Sequence, residues 1–164
     1  NLTMTARAIN EDMPKNTVDL LQKALGDVRL RLKDVKVAIL GLAFRENVAD
    51  SRLSPTYELV KHLKGQVGEV VVQDPYIEAD KTLEALSVPL LKSIEDAVKG
   101  ASVVLIATDH SDYMKMDLAK LMKLARSPAI LLDGRGIIDL EQVPAGTYFT
   151  GIGRPTIRKP NKPD

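Results

Sequence analysis

The chain has 164 residues, 23 Lys and Arg against 22 Asp and Glu, 45% hydrophobic residues and no cysteine. This balance is ordinary for one globular domain, and it argues against a protein that mainly coats nucleic acid or an acidic membrane. The lack of cysteine excludes disulfides and thiolate chemistry in this sequence. No apolar run approaches the ~20 residues of a membrane span and no signal peptide is visible, so we expect a soluble, cytoplasmic protein.

The predicted elements alternate between helix and strand. Helical spacing of apolar residues predicts a helical segment over 1–26, with a kink or break at Pro14, because proline suits the first turn of a helix. Ser54 and Pro55 predict the cap and first residue of a helix that ends near Lys64. Strands are predicted at 35–40, 70–73, 88–91, 103–108, 129–132 and 148–151, and further helices at 93–99 and 113–124.

Strands that are apolar along their whole length indicate a parallel sheet covered on both faces. We therefore predict an α/β fold, a Rossmann-like three-layer sandwich with a mainly parallel sheet, preceded by an N-terminal helical segment. The predicted division is 1–26 for that segment, 27–153 for the α/β domain and 154–164 for a flexible tail rich in proline and basic residues. Ligands in such folds bind beyond the carboxyl ends of the strands.

The segment after the first predicted strand starts like a nucleotide-binding loop but lacks its glycines. Gly41 is not followed by the further glycines of G-x-G-x-x-G. The segment instead offers Arg45, Arg52 and the helix start at Ser54, all of which can bind phosphate. The alternative is that Arg52 pairs with Asp50 or Glu58 while Arg45 is solvated, and the loop alone supports both interpretations equally.

Two later strands also end in polar residues. Arg135, after Asp133 and Gly134, either points across the crevice or is a surface arginine in a turn. After the fourth strand, we expect Asp109 to cap the next helix and His110 to be exposed. With two histidines, no cysteine and no clustered carboxylates, the sequence predicts no transition-metal site, and no Ser/His/Asp triad can be argued.

The order of these pieces resembles the C-terminal third of the UDP-glucose/GDP-mannose dehydrogenase family, over about residues 6–154. The residues that carry the resemblance are Ala6-Arg7, Ile9-Asn10, Met13-Pro14, Gly41-Leu42-Ala43-Phe44-Arg45, Asp50, Arg52, Ser54-Pro55, Asp74-Pro75, Ala107-Thr108-Asp109-His110 and Asp133-Gly134-Arg135. The stretch from Gly41 to Pro55 is the specific part. The closing Gly151-Ile152-Gly153-Arg154 looks most like the UDP-N-acetylmannosamine dehydrogenase branch of that family.

The resemblance implies a domain that binds the UDP-sugar substrate. Family members oxidise the sugar C6 alcohol to a carboxylate with two NAD, which an N-terminal domain binds, and their catalytic cysteine precedes the C-terminal domain. This chain would then contain no catalytic residue and be inactive alone. By the same resemblance, Phe44 and Arg45 would flank the sugar and phosphate, Arg135 would reach the diphosphate, and Arg52 would be mainly structural, with a lesser chance of ligand contact.

The sequence departs from the family pattern at three positions. Arg45 replaces the usual lysine, Ala49 replaces one of two acids and Leu53 replaces a glutamate. These changes leave the sugar open, with UDP-glucose 6-dehydrogenase as an alternative. The helical segment, over residues 2–13, is expected to mediate self-association. The start at Asn1 favours an excised piece of a longer protein. A stand-alone non-catalytic nucleotide-binding module is another alternative, and a flavodoxin-like or receiver domain lacks its expected signature residues.

Overall fold

In the computed structural model, the backbone is described for residues 2–161 and the side chains for residues 12–161. The α-helices are α1 (Leu2–Asp27), α2 (Pro55–Leu63), α3 (Lys81–Ala85), α4 (Ile94–Val98), α5 (Ser111–Met114) and α6 (Leu118–Met122). The strands are β1 (Lys36–Leu40), β2 (Glu69–Gln73), β3 (Leu90–Leu91), β4 (Val103–Ile106), β5 (Ala129–Asp133), β6 (Thr147–Gly151) and β7 (Arg154–Arg158). Short 3-10 helices lie at Leu32–Asp34 and Leu140–Gln142.

The strands form one sheet in the order β3-β2-β1-β4-β5-β6-β7. Strands β1 to β6 pair in parallel, and β7 pairs antiparallel with β6. The strand order reverses between β1 and β4, so the chain leaves these two neighbours in opposite directions. In open α/β sheets this point opens a crevice at the carboxyl ends of the strands.

Successive strand residues point to opposite faces, and both faces are covered. Val37 and Ile39 belong to a core cluster with side chains of α1 and α2, whereas Ala38 and Leu40 belong to a second cluster with α4, α5 and α6. Full burial on both sides explains why the strands are continuously apolar. The predicted three-layer α/β sandwich with an N-terminal helix is therefore confirmed.

Helix α1 continues through Pro14, so of the predicted kink or break the break is wrong. The turns that follow Pro14 are anchored in the core, where Val18, Leu21 and Leu25 are at most 5% exposed. This packing stabilises the helix against the loss of one backbone hydrogen bond at proline. The part of α1 that follows Pro14 thus packs on the α/β sheet. None of the described helices combines the length and the apolarity needed to cross a membrane.

Two other elements differ from the sequence prediction. The predicted helix 113–124 is two helices, because Asp117 starts a new one by accepting a hydrogen bond from the Lys120 N–H at 3.0 Å. Helix α3 was not predicted. It begins at Asp80, whose carboxylate accepts from the Leu83 N–H at 2.9 Å. Both are helices of five residues, too short to show helical periodicity in the sequence.

The predicted flexible tail is wrong over residues 154–158, which form strand β7. Arg154 anchors this strand. Its guanidinium is 3.2 Å from an oxygen of the buried Asp133, donates to the Ile138 carbonyl at 2.7 Å and lies 5.5 Å from the centre of the Phe149 ring. The composition of this segment, rich in proline and basic residues, is typical of disorder. Composition cannot show that one of these arginines pairs with a buried carboxylate and so orders the strand.

Candidate functional site at the carboxyl edge of the sheet

The loops after β1 and β4 meet at the point where strand order reverses. At the start of the first loop, Gly41 has φ of 112°, and a Cβ on it would lie 2.4 Å from the Thr108 Oγ1. The Thr108 hydroxyl donates to the Ala43 carbonyl at 2.8 Å, and the Thr56 hydroxyl donates to the Gly41 carbonyl at 3.0 Å. This glycine is therefore needed for the close approach of two loops of the chain itself.

The buried carboxylate of Asp74, at the end of β2, organises the first loop. Its Oδ2 accepts from the backbone N–H groups of Leu42 at 2.8 Å and Ala43 at 2.9 Å, and its Oδ1 accepts from those of Tyr76 and Ile77. Burial by itself would raise the pKa of Asp74. Hydrogen bonds, first from His110 and then from backbone N–H groups, outweigh burial and hold the pKa below its ordinary value.

This arrangement does not fit a dinucleotide cofactor bound in the usual way. The N–H groups that follow the first strand are the ones that receive a dinucleotide's phosphates in this fold class. Here the N–H groups of Leu42 and Ala43 are bonded to Asp74. An internal carboxylate therefore takes the place of the phosphate, in agreement with the missing glycine pattern.

His110 is buried, so the prediction that it would be exposed is wrong. Its Nδ1 lies 2.9 Å from the backbone N–H of Asn47, and its Nε2 lies 3.0 Å from the Asp74 Oδ2. Because Nδ1 faces a donor, it must be the acceptor, and the ring proton is then on Nε2 and is donated to Asp74. The ring lies between Tyr76 and Tyr113, with centroid distances of 4.9 and 5.4 Å.

Asp109 pairs with Arg135, so the prediction that Asp109 caps the next helix is also wrong. The Arg135 Nη2 donates to the Asp109 Oδ1 at 2.8 Å. The residue that directly precedes α5 is His110, and its side chain makes no capping hydrogen bond.

The turn that carries Arg135 is held by the fully buried Asp133, which accepts from the N–H groups of Arg135, Gly136 and Ile138. A Cβ on Gly134 would lie 2.6 Å from the Ile106 carbonyl oxygen. Arg135 is therefore held on a rigid turn beside β4.

Phe44 and Arg45 lie at the exposed tip of the first loop. Phe44 is 45% exposed although it is aromatic, and its backbone N–H donates to the Asp50 carbonyl at 2.8 Å. Arg45 lines an open depression of about 390 Å³ with Glu46, Val48 and Asp50. A similar depression of about 380 Å³ lies at the opposite edge of the sheet. We assign the site by its position at the carboxyl edge, since the two depressions do not differ in size.

Arg52 forms the ion pair with Asp50 that the sequence offered as one alternative. Its Nε and Nη2 donate to the two carboxylate oxygens at 2.9 and 2.8 Å. The Arg52 side chain, followed by its backbone N–H, lowers the pKa of Asp50 to about 2. The Arg52 side chain is 87% exposed, so the pair lies at the surface of the loop. Within the described residues, no group of three or more histidine and acidic side chains is placed to hold a metal ion.

The sequence interpretation missed the roles of Asn47 and His110, and it named Asp74 only among the residues that carry the family resemblance. The signal that was available is the position of Asp74 directly after β2 and of His110 in the loop after β4, because these two strands flank β1 in the sheet. From the sequence alone, an aspartate or a histidine at the end of a strand can face either solvent or a neighbouring loop.

Comparison with known proteins agrees with this geometry. Residues 38–140 match the family model described as the UDP binding domain of the UDP-glucose/GDP-mannose dehydrogenase family. The chain is 35% identical to a UDP-N-acetyl-D-mannosamine dehydrogenase of Pyrococcus horikoshii, over 93% of this chain and 34% of that protein. It is 30% identical to the UDP-glucose 6-dehydrogenase TuaD of Bacillus subtilis, over 91% of this chain and 32% of the relative.

A solved structure of UDP-D-ManNAc dehydrogenase from Pyrococcus horikoshii superposes with a TM-score of 0.78 at 35% identity, covering 92% of this chain and 33% of that chain. The chain thus belongs to the UDP-glucose/GDP-mannose dehydrogenase family and corresponds to its UDP binding domain. It spans about a third of the length of the relatives it matches.

Proposed function

We propose that this chain is the substrate-nucleotide-binding domain of an NAD-dependent nucleotide-sugar 6-dehydrogenase whose substrate is UDP-N-acetyl-D-mannosamine. The parent enzyme would oxidise the sugar C6 alcohol to a carboxylate. The observation that carries the proposal is the position of Arg45 and Arg135 on loops at the carboxyl edge of a domain that belongs to a UDP binding family. The similarity to the Pyrococcus enzyme supports the choice of sugar.

In this proposal Arg45 and Arg135 bind the diphosphate, and the exposed ring of Phe44 lies against the sugar. The ion pair with Asp109 uses the Nη2 of Arg135. A guanidinium carries further N–H donors in a fixed fork, and these match the oxygens of a diphosphate. Arg52, which is engaged with Asp50, supports the loop and has at most a secondary contact with the ligand.

NAD is assigned to an N-terminal domain of the parent protein. Asp74 already occupies the backbone N–H groups that a dinucleotide would need in this chain, which supports that assignment. The chain alone is expected to be inactive, because it has no cysteine to act as the nucleophile that the family uses. We further propose that the parent enzyme is cytoplasmic and self-associates through the segment that includes α1.

UDP-glucose 6-dehydrogenase activity is the second candidate, since TuaD is 30% identical to this chain. The two candidates differ in the sugar and agree on the nucleotide. Rates of NAD reduction by the parent enzyme with UDP-N-acetyl-D-mannosamine and with UDP-glucose separate them. A higher kcat/KM for UDP-glucose would favour the second candidate.

Titration of the chain with UDP by calorimetry, with GDP for comparison, tests the binding function directly. We expect UDP to bind in preference to GDP, and Arg135→Ala to weaken binding by about tenfold or more, equivalent to ~1.4 kcal/mol for a lost charged contact. Arg126→Ala is the matched control, because Arg126 is an exposed arginine at the opposite edge of the sheet. No UDP binding at millimolar concentration, or an equal loss in both variants, would contradict the proposal.

A further inference from the structure

The tip of the first loop is anchored on both sides. Before the tip, the N–H groups of Leu42 and Ala43 donate to Asp74, and after it the N–H of Asn47 donates to the His110 Nδ1. Between these anchors lie three residues, Phe44 to Glu46, and all three are exposed. The tip therefore has little freedom to move relative to the sheet.

Both anchors depend on a single buried Asp–His pair. The Asp74 Oδ2 that accepts from Leu42 and Ala43 is the same atom that accepts the Nε2 proton of His110. Asp74 and His110 are 1% and 0% exposed. Hydrogen bonds within such a buried network reinforce one another, and each end of the tip has its own acceptor, Asp74 Oδ2 before it and His110 Nδ1 after it.

The backbone of Asn47 is held in an uncommon conformation, with φ of 58°. Its side-chain oxygen accepts from the Ser111 N–H and hydroxyl, both at 3.0 Å. The charged and titratable groups around the His110 ring are Asp74, Tyr76 and Tyr113, and Tyr76 donates in turn to Asp112 at 3.0 Å. This surrounding structure fixes the ring so that Nδ1 points at the Asn47 N–H.

We propose that His110 is a positioning residue for nucleotide diphosphate binding: its Nδ1, together with Asp74, clamps the loop tip so that Phe44 and Arg45 are held in place for the ligand. This rests on the proposed function above. A preorganised arginine loses less conformational freedom when it meets the diphosphate, and the affinity rises accordingly. His110 does not touch the ligand in this proposal and acts through the loop.

Two substitutions separate the functions of the two ring nitrogens. In His110→Asn, the amide oxygen lies the same number of bonds from Cβ as Nδ1, so it can accept from Asn47 but cannot reach Asp74. In His110→Gln, the amide nitrogen corresponds to Nε2, so it can donate to Asp74 but leaves the Asn47 N–H without its acceptor. His110→Asn gives up a buried hydrogen bond to a carboxylate, whereas His110→Gln gives up a part-buried bond to a backbone N–H, so a purely structural role predicts the larger loss of thermal stability and of UDP affinity in His110→Asn.

The experiment measures amide hydrogen exchange at Asn47 by NMR and UDP affinity by calorimetry in the unaltered chain and both variants. In His110→Gln we expect exchange at Asn47 to accelerate by about tenfold or more and UDP affinity to fall about tenfold, as for one lost hydrogen bond. In His110→Asn we expect the exchange rate at Asn47 and the UDP affinity to stay within about twofold of the unaltered chain, because the Asn47 N–H keeps an acceptor.

The outcomes separate this proposal from the proposed function. Equal UDP affinity in the two variants, despite different exchange at Asn47, would overturn the positioning role. Unchanged exchange at Asn47 in His110→Gln would overturn the clamp itself, whether or not UDP binds. Failure of the unaltered chain to bind UDP would contradict the proposed function and the assignment of a nucleotide diphosphate as the ligand of this loop.

Discussion

Leu53, on the first loop, occupies a position that is unfavourable for leucine in two respects. Its backbone has φ of 59°, in the left-handed region, and the residue is 91% exposed. For residues with a Cβ this conformation costs roughly 1–2 kcal/mol. The surrounding loop, which is tied to Asp74 and His110, holds the backbone in place against that cost.

Leu53→Asn is expected to stabilise the chain by about 0.5–1 kcal/mol, because asparagine tolerates the left-handed region. The melting temperature should rise by about 1–4 °C for a chain of this size, as measured by calorimetry or circular dichroism. Val48→Asn is the control, since Val48 is 44% exposed on the same loop without a positive φ. An equal gain in both variants would mean that removal of exposed apolar surface is the cause.

At the scale of elements, an ion pair between Arg154 and the buried Asp133 anchors the start of strand β7. Arg154→Met should destabilise the chain by about 3 kcal/mol, because Asp133 keeps its backbone donors but loses its counter-ion. Arg158→Met, at the exposed end of the same strand, should change the free energy of unfolding by less than about 0.5 kcal/mol. Urea unfolding measures both, and similar effects would show that Arg154 has no special role.

The elements that the sequence predicted are those with a local signal. The continuous apolar run gave β1, and Ser54 followed by Pro55 gave the start of α2, where the Ser54 hydroxyl accepts from the Thr56 N–H. Strand β7 and the burial of His110 depend on partners far away in the sequence, such as Asp133 and Asp74. No propensity or spacing reports such partners, so the sequence offered the arginines as candidates while the hydrogen-bond network beneath the loops was missed.

At the scale of the whole molecule, Asp74 connects three strands. It follows β2, accepts from the loop after β1 and receives the proton of His110 after β4. The part of α1 after Pro14 packs against the same core as the sheet. The predicted domain boundary after residue 26 stays a prediction. The stability of the whole fold should therefore depend on the charge of this one carboxylate.

Asp74→Asn is expected to lower the free energy of unfolding by on the order of 3 kcal/mol at neutral pH. The NH2 group of the amide would face N–H donors that need an acceptor. The folded pKa of Asp74 lies below its ordinary value, so its contribution is complete above about pH 4 and is lost as the pH falls through the folded pKa. Urea unfolding from pH 7 to pH 3 should show the difference between the two proteins narrowing at the acidic end.

The exposed Asp19→Asn is the control for that measurement and should differ little from the unaltered chain at any pH. A difference between Asp74→Asn and the unaltered chain that stays constant from pH 7 to pH 3 would show that the charge of Asp74 is not what stabilises the fold.

The carboxylate bound to the Leu42 and Ala43 N–H groups is also an intramolecular competitor. An external phosphate reaches those groups only by displacing a ligand that is covalently part of the chain. Such a tethered and oriented group has a high effective concentration, so a free dinucleotide competes poorly for the same N–H groups. We therefore expect the turn after β1 to disfavour a dinucleotide, and the substrate nucleotide to bind in the outer part of the crevice, beside Arg45.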